Sequence, residues 1–98
     1  MNGLRWVVIP SGRFRRAYRR YIGSDLERLA RVEAALDRPR LDPFDPKRKT
    51  HSLRGHLLGC WACSCGYDCR TIFTIEPGDQ PGQQLILLQD IGTHEDVY

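Results

Sequence analysis

The chain has little of several things, and each shortage excludes something. Apolar residues run together for only a few positions at a time. A membrane-crossing helix needs roughly 20 in a row, so no such span is expected. No charged stretch near the start leads into a long apolar one, so a secretory signal is not expected and the cytoplasm is the expected location. There is no internal repeat and no low-complexity tract. At 98 residues, there is room for one hydrophobic core and no second one, giving a single domain over 1–98. Apolar residues at 41% and charged residues at 28% exclude a disordered chain.

Cysteine is absent outside a ten-residue window. All four cysteines stand at 60, 63, 65 and 69. A disulfide framework would spread them to close long loops, so four reduced thiols are expected. The pattern Cys-x2-Cys-x-Cys-x3-Cys also lacks the two separated pairs of most tetrahedral zinc sites. Small buried thiols explain it more simply, and neither a metal nor a cofactor is expected.

Positive charge is nearly absent from the second part. Residues 57–98 hold Arg70 as their single Lys or Arg against six acids, a balance of −5. Residues 1–56 hold the other fourteen cations against six acids, a balance of +8. So uneven a split points to a polyanionic partner for the basic part, or to a solvated helical surface.

What is present reads as an α+β domain. Arg5 to Ile9 is rich in β-formers and stops at Pro10, which predicts a first strand. From Ser11 to Ile22, Phe14, Tyr18 and Tyr21 recur at helical spacing between five arginines, which predicts an amphipathic helix with a cationic outer face. Gly23 ends it. Ser24 with Glu27 forms a capping box for a second helix, whose stripe is Leu26, Leu29, Val32 and Leu36 and which Pro39 stops. A turn this short predicts an antiparallel helical hairpin. Residues 39–50, with three prolines and four cations, predict a loop. Trp61–Cys65 then predicts a strand and Gly66-Tyr67 a turn. Cys69–Ile75 alternates, with Thr71, Phe73 and Ile75 facing one way and Arg70, Ile72 and Thr74 the other. The stretch 77–82 predicts a hairpin loop, and Leu85–Ile91, apolar on both sides, a central strand. The order predicts an N-terminal strand, a two-helix hairpin and a three-stranded antiparallel meander, with the helices on one sheet face.

Three local motifs sit on these elements in a telling order. They are His51-Ser52-Leu53-Arg54-Gly55 followed by Gly59, then Tyr67-Asp68-Cys69-Arg70-Thr71-Ile72-Phe73, then Gly92-Thr93-His94-Glu95-Asp96-Val97-Tyr98. Together with the layout they resemble the RelE/ParE toxin superfamily, and within it the YafQ-like mRNA interferases, over nearly the whole chain. The resemblance implies a ribosome-dependent endoribonuclease that is held inactive by a cognate antitoxin and acts on mRNA in the ribosomal A site beside ribosomal RNA. By position, His51, Asp68, His94 and Tyr98 match the functional set of those toxins. Two positions depart: the family histidine of the second strand falls at Ser64, and the tryptophan after the aspartate at Cys69. Serine cannot shuttle protons near neutral pH as histidine does.

The residues suit the chemistry. Cleavage of RNA by its own 2′-hydroxyl needs a base for that proton, an acid for the departing 5′-oxygen and positive charge on the phosphorane. His94 is the expected principal acid or base, with His51 and Asp68 completing proton transfer. Arg54 and Arg70 are expected to hold phosphate, and Tyr98 to stack on a base. Asp68 and Arg70, two apart, would share a face if both lay on the strand. Arg70 has an equally good structural reading, as a partner of Asp68 or a support for the fold. Two other readings stay open: a ParE-like topoisomerase inhibitor acting by protein contact, and a non-catalytic RNA- or antitoxin-binding module, which Ser64 keeps in play.

Overall fold

A computed structural model describes residues 5–36, 49–65 and 68–97, without the side chains at 5, 35, 36 and 96. Strand β1 (Arg5–Pro10) is followed by helices α1 (Gly12–Ile22) and α2 (Leu26–Leu36). A two-residue strand β2 (His51–Ser52) and a 3₁₀ turn (Gly55–Leu57) lead to β3 (Trp61–Ser64), β4 (Arg70–Pro77), β5 (Gln83–Gly92) and a one-turn helix α3 (His94–Val97). The sheet order is β1-β5-β4-β3-β2, with β1 parallel to β5 and the other pairs antiparallel. Pro10 stands where β1 forms the sheet edge, a place where its missing N–H breaks no inner ladder.

The first helix starts as its sequence predicts. The Ser11 hydroxyl accepts the Phe14 N–H at 3.0 Å, and the arginines at 13, 15, 16, 19 and 20 are exposed. Phe14, Ala17 and Ile22 are buried, with Tyr18 and Tyr21 half-buried. Gly23 ends the helix at φ 54°, a conformation that favours glycine, and its N–H reaches the Arg19 carbonyl.

The second helix starts differently. Asp25, not Ser24, caps it: its carboxylate accepts the Arg28 N–H at 2.9 Å. A carboxylate is favoured at the positive end of the helix. Leu26 thereby becomes the first helical residue and is 76% exposed. Side chains lean toward a helix's N-terminus, so one in the first turn points off the end rather than onto the sheet. The core-facing stripe runs instead through half-buried Leu29 and buried Val32, and the side chain of Leu36 lies outside the described set. Arg28 ties the two helices together, donating to the Tyr21 carbonyl at 2.9 Å and lying 4.5 Å from the Tyr21 ring centre.

The main core lies between these helices and the sheet, around Phe14, Val32, Phe73, Ile86, Leu88 and Ile91. The alternation expected in β4 is observed: Phe73 is buried under the helices, while Ile72 faces the other way into a second, smaller core with Ala62 and Val97. The expected pair of helices lies on one face, and the second core marks a further element on the other. α1 and α2 share a face, and α3 sits on the opposite one, because Val97 finds an apolar seat on Ala62 and Ile72. The register slips between Ile72, paired with Asp90, and Phe73, paired with Leu88. This bulge at Gln89 lets both Leu88 and Ile91 reach the main core and re-aims the end of β5. The loop over 39–50 lies outside the described residues except for Lys49 and Thr50, and so does the Gly66-Tyr67 turn.

The cysteines also differ from expectation. Cys65 and Cys69 form a disulfide, with Cα atoms 5.1 Å apart, while Cys60 and Cys63 are not disulfide-bonded. Clustering in sequence hid this pairing. Ser64 and Arg70 are register partners, and the Cys65 N–H donates to the Cys69 carbonyl at 3.1 Å, so the two cysteines face each other across the mouth of the β3–β4 turn. The buried Thr71 hydroxyl donates to the Cys65 sulfur at 3.2 Å. So short a loop removes little chain entropy. Reduction, or a Cys65→Ser/Cys69→Ser variant, is expected to lower stability by about 2 kcal/mol. Urea titrations with and without a reducing dithiol measure this, and superimposable curves would show that the cross-link contributes nothing.

Candidate active site

The face of the sheet that carries α3 bears on three of the six candidate residues, His51, Arg70 and His94. Directly opposed residues on neighbouring strands share a face. His51 pairs with Ala62 and Ala62 with Ile72, so His51 stands on the side where Val97 packs. One rung further along the same face, Ser64 pairs with Arg70 and Arg70 with Gly92. His94 follows two residues after Gly92, at the start of α3. His51 and Arg70 therefore share one surface, with β2 and β4 about 10 Å apart at the usual strand spacing, and His94 begins the helix that sits on that face. His51 and His94 are exposed; Arg70 and Ser64 are half-buried.

Local chemistry orients several of these groups. His51 Nδ1 lies 3.0 Å from the Lys49 carbonyl, an acceptor only, so Nδ1 carries a proton. In the neutral ring the basic lone pair is then on Nε2. Arg70 donates from Nη1 to the Cys69 carbonyl at 2.9 Å, which uses one of its five N–H groups and steadies the fork. Arg54 is exposed and immediately precedes the 3₁₀ turn. That turn starts at Gly55 with φ 68°, a left-handed backbone that gives the glycine of the His-x-Leu-x-Gly motif a physical reason. Leu53, between His51 and Arg54, packs into the smaller core and anchors the segment.

Asp68 stands apart from the predicted arrangement. It precedes β4, in a turn, with φ 50°. The strand alternation does not extend to it, and it does not share Arg70's strand face. Its carbonyl accepts the Tyr21 hydroxyl at 3.2 Å, and it borders a hollow on the helix side with Tyr21, Arg28 and Arg31. It is exposed at the end of the sheet where β5 runs into α3. Tyr98 lies outside the described residues. Among the described residues, no group of three or more His, Cys, Asp or Glu side chains is arranged to hold a metal ion.

A second hollow was not foreseen. It lies between α1 and the end of β5, has a volume of about 380 Å³, and is lined by Arg13, Arg16, Arg20, Arg28, Asp90 and Thr93 among others. The arginine stripe on the first helix was legible in sequence. Its neighbour was not, because only the parallel β1–β5 pairing brings α1 beside Asp90 and Thr93.

No protein-family model matches the chain, and no curated protein sequence matches it. Solved structures do. YafQ from E. coli strain BL21(DE3) aligns over 94% of this chain and 97% of its own, with 18% identity and a TM-score of 0.61. A YoeB/ParE toxin from Agrobacterium tumefaciens aligns over 89% and 97%, with 15% identity and a TM-score of 0.65. The E. coli DinJ–YafQ complex gives 94% and 97%, 18% identity and a TM-score of 0.55. The chain has the RelE/ParE toxin fold. In this fold the sheet face bearing α3 carries His51 and Arg70, and α3 itself begins at His94. Among the described residues no helix is long and apolar enough to cross a membrane.

Proposed function

We propose that this protein is the toxin of a type II toxin–antitoxin pair, a metal-independent endoribonuclease that cuts mRNA in the ribosomal A site and so stops translation in the cytoplasm. The observation that supports this reading is that His51 and Arg70 stand on the sheet face that carries α3, the helix that begins at His94. One imidazole takes the proton of the 2′-hydroxyl, whose oxygen attacks the adjacent phosphorus. The other gives a proton to the departing 5′-oxygen. The products are a 2′,3′-cyclic phosphate and a 5′-hydroxyl. His94 is the principal proton-transfer residue and His51 its partner; the part expected of Asp68 is not kept, because its turn sets it on the helix side. Arg54 and Arg70 hold the phosphate as charge builds on its oxygens, and Tyr98 stacks on a base. With so few proton-transfer groups, the ribosome supplies much of the substrate's positioning.

The solved complex of DinJ with the similarly folded YafQ supports a cognate antitoxin as the inhibitory partner. The cationic helix α1 and the exposed β1 edge are the surfaces it would wrap.

The test is brief expression followed by mapping of 5′ ends on translated mRNA, beside a His94→Ala control. In-frame cuts that vanish in the variant support the reading. Replication arrest with intact mRNA would replace it with topoisomerase inhibition, and no growth effect would leave a non-catalytic binding module. Ser64 provides a second check. It stands beside Arg70 on the site's face, where the resembling toxins carry histidine. Restoring that group with Ser64→His should raise the cleavage rate by up to about 10²-fold. An unchanged rate would show that two histidines already suffice.

A further inference from the structure

The hollow between α1 and β5 holds four guanidinium groups against one carboxylate. Two of the four are already committed. Arg13 lies 3.4 Å from Asp90, and Arg28 is held by the Tyr21 carbonyl and ring. Arg16 and Arg20 are exposed and form no ion pair among the described residues. Their positive charge is therefore concentrated at a concave surface without internal neutralisation, and such surfaces focus anions.

The spacing defines the anion further. Arg13, Arg16 and Arg20 stand at i, i+3 and i+7 on one face of α1, so their attachment points rise by about 4.5 and 6 Å. That is a line of cations rather than a single-ion cup, and it suits a polymer of regularly spaced charges. Beside the Tyr21 ring, which Arg28 overlies, the lining offers Ala17 and Ile91 as its apolar surface. A folded or folding peptide partner reads a groove through large apolar anchors, and this hollow has little to receive them. One end is bordered by Thr93, and the next residue is His94.

We propose that this hollow binds the sugar–phosphate backbone of single-stranded RNA and leads the strand across the end of β5 to His94. The inference rests on the nuclease reading for where the strand goes next, but not for whether the hollow binds RNA. Arg16 and Arg20 are the two phosphate ligands, and Arg13 and Arg28 are the fixed walls that keep the hollow open. This site differs from Arg70, which stands on the face that carries α3, and from Arg54, which precedes the 3₁₀ turn; those two act on the scissile phosphate.

The experiment uses the full chain and a fluorescein-labelled 2′-O-methyl oligoribonucleotide of twelve residues. It lacks the nucleophilic hydroxyl and cannot be cut, so binding is read apart from catalysis. Fluorescence anisotropy is measured from 50 to 200 mM salt. Each phosphate contact on a single strand contributes a slope of about −0.7 to log K against log salt. Arg16→Ala/Arg20→Ala should flatten the slope by about 1.4 and weaken binding at low salt at least tenfold. Arg16→Lys/Arg20→Lys should keep the slope. Both positions are exposed, and a thermal melt by circular dichroism verifies the fold. An unchanged slope in the alanine variant overturns the proposal. So does polyglutamate of matched charge binding as tightly as the oligonucleotide, which would make the hollow a seat for an acidic protein segment. Cleavage of translated mRNA by a variant with an unchanged slope would sink the hollow alone. Binding that depends on Arg16 and Arg20, with no cut mRNA, would sink the nuclease reading alone.

Discussion

Replacing His94 by alanine is expected to slow ribosome-dependent cleavage by about 10²–10⁴-fold, the usual contribution of a positioned acid–base group. Stability should change little, within about 0.5 kcal/mol, because the side chain is exposed and outside both cores. The two readouts separate the roles. A structural residue would lower the urea midpoint along with the rate, whereas a proton-transfer residue lowers the rate alone. The site's position supports the large figure. The β5 bulge aims the strand's end, and Val97 pins α3 to Ala62 and Ile72 three residues beyond His94, so the imidazole is carried on a fixed turn. A loss below about threefold, measured as single-turnover cleavage on programmed ribosomes, would remove His94 from the chemistry.

Phe73→Ala should be the most damaging change to the fold, costing about 3–5 kcal/mol. Phe73 is 1% exposed, the largest of the fully buried side chains, and sits beside the register slip of β4 on β5. Its loss opens a cavity beneath both helices. Domains of this size have about 5–15 kcal/mol in total, so the variant should populate unfolded chain under mild urea. The comparison is Leu58→Ala, at a side chain 78% exposed, which should stay within about 0.5 kcal/mol. Both are best made in the His94→Ala background, where expression would not arrest the host. A Phe73→Ala midpoint equal to that of Leu58→Ala would mean that the core is not organised around this ring.

Periodicity carried the elements well. The 3.6-residue recurrence of Phe14, Tyr18 and Tyr21 and the two-residue alternation through Phe73 both survive in the folded chain, because each is enforced locally by the backbone's own repeat. Periodicity failed where a repeat ends. Leu26 continues the α2 stripe in sequence yet leans off the helix end, and Asp68 is two residues from Arg70 yet belongs to a left-handed turn rather than to the strand. The disulfide was missed for a related reason. Separation along the chain indicates how long a loop closes, not which residues a turn sets face to face.

The amino-acid order alone determined the class of the fold, the cationic face of α1, and which side chains had the chemistry for RNA cleavage, since residue type and local repeat are properties of the chain itself. Tertiary structure decided where those groups stand. It set His51 and Arg70 on one sheet face with α3 and His94 beside them, moved Asp68 to the helix side, and brought the arginines of α1 alongside Thr93 through the parallel β1–β5 pairing. These are contacts between segments tens of residues apart, fixed by strand register and by burial of two separate cores. No short-range pattern encodes them.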